Sequence, residues 1–168
     1  MSTVVRFILA ITIATTWSIV PAAQQQPMSG AESAQIKKEV TEAVEKYYRL
    51  FSERNMKALP DEVYNIPWIL MTANGPQPNL TRDQALAGFE ASLKQLVENG
   101  WSKSVYTTTN VCVLNRTAAI TSGYNTRYKQ DGSVMQVAGV AYVFNKTKDG
   151  WRIVTYTGTS KDTVIKCD

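Results

Sequence analysis

The sequence predicts an α+β domain in which a cone-shaped, strongly curved antiparallel sheet wraps a long N-terminal helix. Three observations carry this expectation. Ile36, Val40, Val44, Tyr47 and Phe51 fall at steps of three or four, the spacing of one apolar helical stripe. From Ser102 onward the apolar period drops to that of strands. The last two apolar runs, Val134–Asn145 and Trp151–Ser160, are joined by a turn ending in Asp149-Gly150, so consecutive strands pair as a meander. Helices first and strands after segregate into α+β, and a single sheet must bury one face against the long helix.

Residues 1–23 read as a secretory signal peptide. Arg6 is their one charge, Phe7–Val20 is an uncharged apolar run, and Val20-Pro21-Ala22-Ala23 offers small residues for cleavage after Ala22 or Ala23. The alternative, an uncleaved anchor, needs about 20 apolar residues, more than this run holds. No cysteine lies near Ala23 to make a lipoprotein. Residues 24–31, opening on Gln24-Gln25-Gln26-Pro27, form a polar linker. Residues 32–160 then form one domain of ordinary size, and 161–168 a C-terminal tail.

Helix signals come first. Glu32–Arg54 carries the apolar stripe, with Lys37, Lys38, Glu42, Glu45 and Lys46 on its other faces and Ser29 and Glu32 at capping-box spacing. Pro60 opens a short helix through Asp61–Tyr64. Ile66–Thr72 reads as a strand, placed at an edge or irregular position by Pro67. Ala73–Asn79 is read as turn. Thr81-Arg82-Asp83-Gln84 is a second capping box, opening a helix through Val97 that buries Ala85, Phe89, Leu93 and Leu96 and ends at Asn99-Gly100. Strands follow at Ser104–Leu114, Ala118–Lys129, Val134–Asn145 and Trp151–Ser160, punctuated by Asn115-Arg116, Asp131-Gly132 and Asp149-Gly150.

Charge and cysteine content narrow the classes. The net charge is +4 from 18 basic and 14 acidic residues, with no basic run longer than Lys37-Lys38. A nucleic-acid surface would cluster them, so nucleic-acid partners are not expected. The two cysteines, Cys112 and Cys167, are an even count for an oxidising compartment and point to a disulfide between a strand and the tail. The other arrangement is a buried Cys112 and a free Cys167 in a frayed tail. With no histidine in the chain, an ordinary zinc site is excluded, and no metal or cofactor is expected. Three Asn-X-Thr triplets, at Asn79, Asn115 and Asn145, match glycosylation sequons at turns or element ends.

This order of elements resembles the nuclear transport factor 2-like superfamily, within it the SnoaL-like and ketosteroid-isomerase-like branch. The likeness rests on Val44–Asn55 as the first helix, Thr81-Arg82-Asp83-Gln84-Ala85 at the start of the third, and Asp149-Gly150-Trp151-Arg152-Ile153-Val154 as the closing strand. It spans nearly all of residues 32–160. The resemblance implies a cystatin-like cone with a pocket between helix and sheet, and a homodimer through the open sheet face.

The chemistry of the superfamily's enzymes does not transfer. Isomerases of the branch use a tyrosine and a protonated aspartate as oxyanion donors with a carboxylate base. Tyr47 matches the tyrosine, but the base falls near Met71 or Thr72 and the second donor near Val140. A His–Asp dehydratase mechanism is excluded by the absence of histidine. The acids needed for a hydrolase set are missing from the strands, since Asp131 and Asp149 sit in turns.

Candidate pocket residues are Tyr47 and Phe51 from the helix, Trp68 and Met71 from the first strand, and Tyr106, Tyr142, Phe144, Thr155 and Thr157 from the sheet. The parity of Ala118–Lys129 stays open. One choice turns Ala118, Ile120, Tyr124 and Tyr128 inward; the other turns Arg127 into the cavity, where it could hold a carboxylate. These aromatics either fill a core or line a cavity. Three functions follow: a secreted or periplasmic domain binding a small apolar or aromatic molecule, an enzyme of isomerase, cyclase or hydrolase type without an assigned site, or a protein-interaction and dimerisation module. A buried carboxylate or arginine converging on Tyr47 would favour the enzyme. Membrane association is expected only through an uncleaved signal.

Overall fold

The computed structural model describes residues 27–167. The signal-peptide reading and the glutamine linker of 24–26 lie outside the described residues.

The first helix, α1 (Gly30–Ser52), begins where Ser29 Oγ accepts the Glu32 amide at 3.1 Å. That bond satisfies one of the amides a helix start leaves unpaired. Its buried stripe is Ile36, Val40, Val44, Tyr48, Leu50 and Phe51. Arg54, at φ 61°, turns the chain into a 3₁₀ turn at Met56–Ala58 and then α2 (Leu59–Glu62), with Pro60 in its first turn. Next come β1 (Tyr64–Thr72), β2 (Gly75–Asn79) and α3 (Arg82–Glu98). Thr81 and Gln84 complete the reciprocal capping box at the start of α3. The strands β3 (Trp101–Asn115), β4 (Ala118–Lys129), β5 (Val134–Thr147) and β6 (Gly150–Thr159) close the domain.

All six strands form one sheet in the order β2-β1-β6-β5-β4-β3. Three expectations change here. The sheet is mixed rather than wholly antiparallel, because β1 runs parallel beside β6. Ala73–Asn79 is more than a turn: Gly75–Asn79 pairs back on β1 as an edge strand, where Pro76 and Pro78 need no amide for the ladder. With β2 outside it, β1 is not an edge. Its register breaks between Tyr64 and Ile69, around the cis Ile66–Pro67 bond, so Pro67 sits in an irregular stretch that makes no regular pairs.

The core lies between α1 and the concave face. Trp101, Phe144, Leu59, Ile153, Val40 and Val44 are fully buried. Trp101 Nε1 donates to Ser104 Oγ at 2.9 Å, so its indole enters the core with its polar atom satisfied. Glu39 locks α1 to the β5–β6 hairpin. It accepts from Lys146 Nζ at 2.9 Å, from Trp151 Nε1 at 2.8 Å and from Gln35 Nε2 at 3.1 Å. Arg82 grips Asp61 with two nitrogens at 2.6 and 2.7 Å, tying the start of α3 to α2.

Cys112 and Cys167 form the disulfide, with Cα atoms 5.5 Å apart and a sequence separation of 55. The tail reaches it across the convex face. Ser160 lies against Gly139 on β5, where a Cβ would strike the Ser160 carbonyl. Ile165 donates its amide to Ser122 Oγ on β4 at 3.0 Å, and its carbonyl accepts from Asn110 Nδ2 on β3 at 2.6 Å. The tail is therefore a strap over three strands. Among the described residues no helix is long and apolar enough to cross a membrane.

Two predictions follow from these ties. Closing a loop of this length restricts the unfolded chain, so Cys167→Ser should lower unfolding free energy by about 2–4 kcal/mol in urea titrations of the oxidised proteins. The donors around Glu39, Lys146 foremost, then Trp151 and Gln35, hold its carboxyl down from 4.5 to about 2. A depressed acid stabilises the fold above its unfolded pKa. That contribution is complete above pH 4.5 and lost as pH falls towards 2. Glu39→Gln should therefore flatten the acid limb of a stability-against-pH curve; a limb unchanged by the substitution would refute the assignment.

Candidate ligand site in the cone

Cross-strand register decides which side chains enter the cone. Tyr142 and Phe144 of β5 are buried in the core, and they pair with Thr121 and Ala119 of β4. Partners directly opposite share a face. The inward set on β4 is therefore Ala119, Thr121, Gly123, Asn125 and Arg127, the second of the two parities open in the sequence. Buried Tyr106 on β3, opposite Asn125, agrees. Gly123 explains the choice: a Cβ there would meet the Thr107 carbonyl and lie 2.7 Å from the Tyr106 ring. The absent side chain makes room for that ring, whose hydroxyl donates to the Val140 carbonyl at 2.9 Å.

A β-bulge resets β6. Phe144 pairs with Ile153 but Val143 with Thr155, so Val154 is the extra residue. Ile153 faces inward before the bulge and Tyr156 after it, three residues apart. Tyr156 packs on Tyr142 and Trp68, each with ring centroids 5.5 Å apart. Thr155 and Thr157 consequently face the convex side. There Thr155 lines a depression of about 390 Å³ with Ile69, Met71 and Pro76, and Met71 is 51% exposed. Three expected pocket residues, Met71, Thr155 and Thr157, are thus outside the cone. Strict alternation from Trp151 misplaced the threonines, and the irregular start of β1 misplaced Met71.

Tyr47, Phe51, Trp68, Tyr106, Tyr142 and Phe144 do lie inside, joined by Tyr48, Tyr64, Phe89 and Tyr156. Tyr48 stacks on Tyr106 at 5.1 Å, and its hydroxyl meets that of Tyr142 at 2.6 Å. Trp68 is sandwiched between Phe89 at 5.7 Å and Tyr156 at 5.5 Å, both nearly parallel to it. Tyr47 touches Tyr64 at 5.8 Å and Tyr142 at 6.0 Å, each edge-on. Phe51 and Phe144 sit deeper, Phe51 against Trp101 at 5.6 Å. Tyr48 adjoins the predicted stripe and was legible as its neighbour. Tyr64 lay hidden at the end of a misread helix, and Tyr156 behind the bulge.

The polar atoms of this interior are unevenly satisfied. Tyr64 Oη, Trp68 Nε1, Asn125 Oδ1 and Arg127 Nε are buried and unpartnered. The Tyr64 hydroxyl is near enough to that of Tyr47 to influence its ionisation, yet makes no hydrogen bond of normal geometry. Burial pushes the Tyr48, Tyr64 and Tyr142 phenols well above their ordinary range, and Tyr106 to about 12. Burial also raises Tyr47 and Tyr156, while the nearby Arg127 charge pulls both back. The interior therefore presents neutral phenol and indole groups at any physiological pH. The buried polar residues among those described are Ser104, Thr121, Ser122, Asn125 and Thr126, with no carboxylate.

The comparisons with known proteins agree with this architecture. The family model for NTF2-like protein (DUF6841) matches residues 38–161. The chain belongs to that family, within the nuclear transport factor 2-like superfamily. Among solved structures, it is similar to an NTF2-like protein with a cystatin-like fold from Novosphingobium aromaticivorans. The TM-score is 0.64 at 16% identity, covering 79% of this chain and 86% of that one. An NTF2-like superfamily protein from Salmonella enterica serovar Typhimurium gives a TM-score of 0.56 at 17% identity, covering 78% and 94%. A cystatin-like domain from Nostoc punctiforme gives 0.58 at 14%, covering 81% of each chain. At these identities the likeness establishes the fold. No curated protein sequence matches the chain significantly.

The Gly123–Tyr106 contact is directly testable. Gly123→Ala forces a methyl into the Tyr106 ring and the Thr107 carbonyl, and should destabilise by about 1–3 kcal/mol in denaturant unfolding. Unchanged stability would mean that the ring does not depend on the missing side chain.

Proposed function

We propose that this protein is a secreted or periplasmic binding domain that holds a small apolar or aromatic molecule in its cone without transforming it. The observation that carries the reading is the set of buried, unpartnered Trp68 Nε1, Tyr64 Oη and Asn125 Oδ1 on an otherwise aromatic wall. Buried polar groups are nearly always hydrogen-bonded, so a cluster of exceptions calls for a reason, and a bound ligand would supply one here. The disulfide fits an oxidising compartment.

The enzymatic alternative has half of what it needs. Arg127 shares the concave face with Tyr106 and Tyr142, which supplies a cation on the side of the phenols. General acid–base chemistry also needs a group that titrates near the working pH. Among the described residues no carboxylate enters the cone, there is no histidine in the chain, and the phenols are held neutral. Binding without turnover is the reading these residues support best.

A second copy is proposed on the convex face. Ile69, Met71, Val105 and Val137 are each 40–51% exposed there, an apolar surface that association would cover. The strap already occupies the Cys112, Ser122 and Gly139 region, so the contact falls outside it. Light scattering after size exclusion should give twice the chain mass; a monomer at high micromolar concentration would refute the dimer.

Native mass spectrometry of the mature protein, isolated from its own compartment, tests the central proposal. A non-covalent small-molecule adduct, lost on mild activation, is the expected result, with an N-terminus following Ala22 or Ala23. Protein recovered empty, and with intrinsic tryptophan emission unresponsive to a panel of aromatic compounds, would overturn it.

A further inference from the structure

Several surface cations are ion-paired: Lys46 with Glu62, Arg49 with Glu53, Arg82 with Asp61, Arg116 with Glu32 and Lys146 with Glu39. Arg127 is not. Its hydrogen bond is to a neutral group, Nη1 donating to Gln136 Oε1 at 2.7 Å, and its Nε is buried without a partner. No acidic side chain among the described residues pairs with it.

Its position gives this meaning. Arg127 sits on the concave face of β4, opposite Ser104 and Gln136. Between it and the aromatic wall the concave floor is built of small side chains. Val140 and Gly158 pair there, and Ala138 lies opposite Asn125. A Cβ added to Gly158 would meet nothing within 4 Å, so the floor beside Tyr156 is open. The Arg127 charge also lowers the Tyr47 and Tyr156 phenols against the rise that burial gives them. Asn125, two residues along the same strand and 7% exposed, adds an unpaired Oδ1 at the same end.

We infer that the cone selects aromatic carboxylic acids: the Arg127 guanidinium holds the carboxylate, and the ring lies over the Val140–Gly158 floor beside Tyr156. This rests on the reading of the cone as a ligand site and adds the class of ligand. A guanidinium offers a planar fork that matches a carboxylate, and such charge-assisted bonds are the strong ones. Charge balance separates a carboxylate from a phosphate. One arginine neutralises one monoanion, while a dianion would leave uncompensated charge beside an aromatic wall, where burial is expensive.

Isothermal titration of the mature protein with 4-hydroxybenzoate and with its methyl ester tests this. The two probes share ring and hydroxyl and differ in the charge. The acid should bind at least about tenfold more tightly than the ester, a difference of about 1.4 kcal/mol. Arg127→Gln should remove that preference by weakening the acid much more than the ester, with an unaltered near-ultraviolet circular dichroism spectrum. Arg127→Lys, which keeps the charge but loses the fork, should recover part of it. Should the variants fail to fold, the acid-to-ester ratio of the native chain decides by itself. Equal affinity for acid and ester, or an acid affinity indifferent to Arg127→Gln in a folded variant, overturns the inference and leaves a neutral-ligand cone standing. If neither probe binds, the inference falls too; whether the cone takes other ligands is then read separately from the native mass spectrum.

Discussion

Burial of one face of α1 in the concave side of the sheet is the constraint on which the rest of the structure depends. The stripe from Ile36 to Phe51 is apolar at its start and aromatic at its end. Val40 and Val44 fill the narrow part of the cone completely, against strands that carry Phe144 and Ile153. Near Tyr47 and Tyr48 the helix meets tyrosines from β1, β3, β5 and β6 instead. Rings prefer offset and edge-on contacts, and phenols also require partners for their oxygens. The packing changes there from a featureless apolar core to a directional one, fixed by the Tyr48–Tyr142 hydroxyl contact and the stack on Tyr106. That change of texture along one helix separates a purely apolar part of the cone from one lined by phenol hydroxyls.

Two backbone irregularities tune the wider part. Gly123 removes a side chain where the Tyr106 ring must lie, and the bulge at Val154 rotates the end of β6 so that Tyr156 joins the wall. Without the bulge, Thr155 and Thr157 would face the cone and Tyr156 the outside. Bulges commonly re-aim side chains beside functional sites. Here a single extra residue exchanges hydroxyls for a ring that stacks on Trp68 and senses Arg127.

The same features explain what the sequence disclosed. Apolar periods mark elements by type, so α1, α3 and the four long strands are legible, with Ala118–Lys129 recovered at its observed bounds. The pairing of Cys112 with Cys167 follows from count and compartment, although the path of the tail over Ser122 and Gly139 does not. Parity is a different kind of information. It depends on partners distant in the chain, and Ala118–Lys129 alternates in a way that lets either face pass as buried. Only the register with Tyr106 and Tyr142 turns Arg127 inward. Phase errors also propagate: one bulge displaced both threonines, and the irregular stretch around Pro67 placed Met71 on the wrong side. The edge strand β2 was hidden because its Gly75-Pro76 and Pro78 carry turn chemistry, which an edge strand tolerates and a central one would not.

Arg127 closes the argument because its situation is unfavourable unless something answers it. A guanidinium whose Nε is removed from water and left unpaired destabilises the folded chain, and replacement by a neutral side chain of similar reach would relieve that burden. The residues beside it do not relieve it: Gln136 is neutral, and Asn125 presents an acceptor without a partner. Glu62, Asp61, Glu32 and Glu39 are paired elsewhere, with Lys46, Arg82, Arg116 and Lys146. The positive charge is thus confined to a wall that supplies rings, neutral donors and an open floor but no anion. The proposed aromatic carboxylate would supply that anion to the guanidinium and set its ring on the open floor.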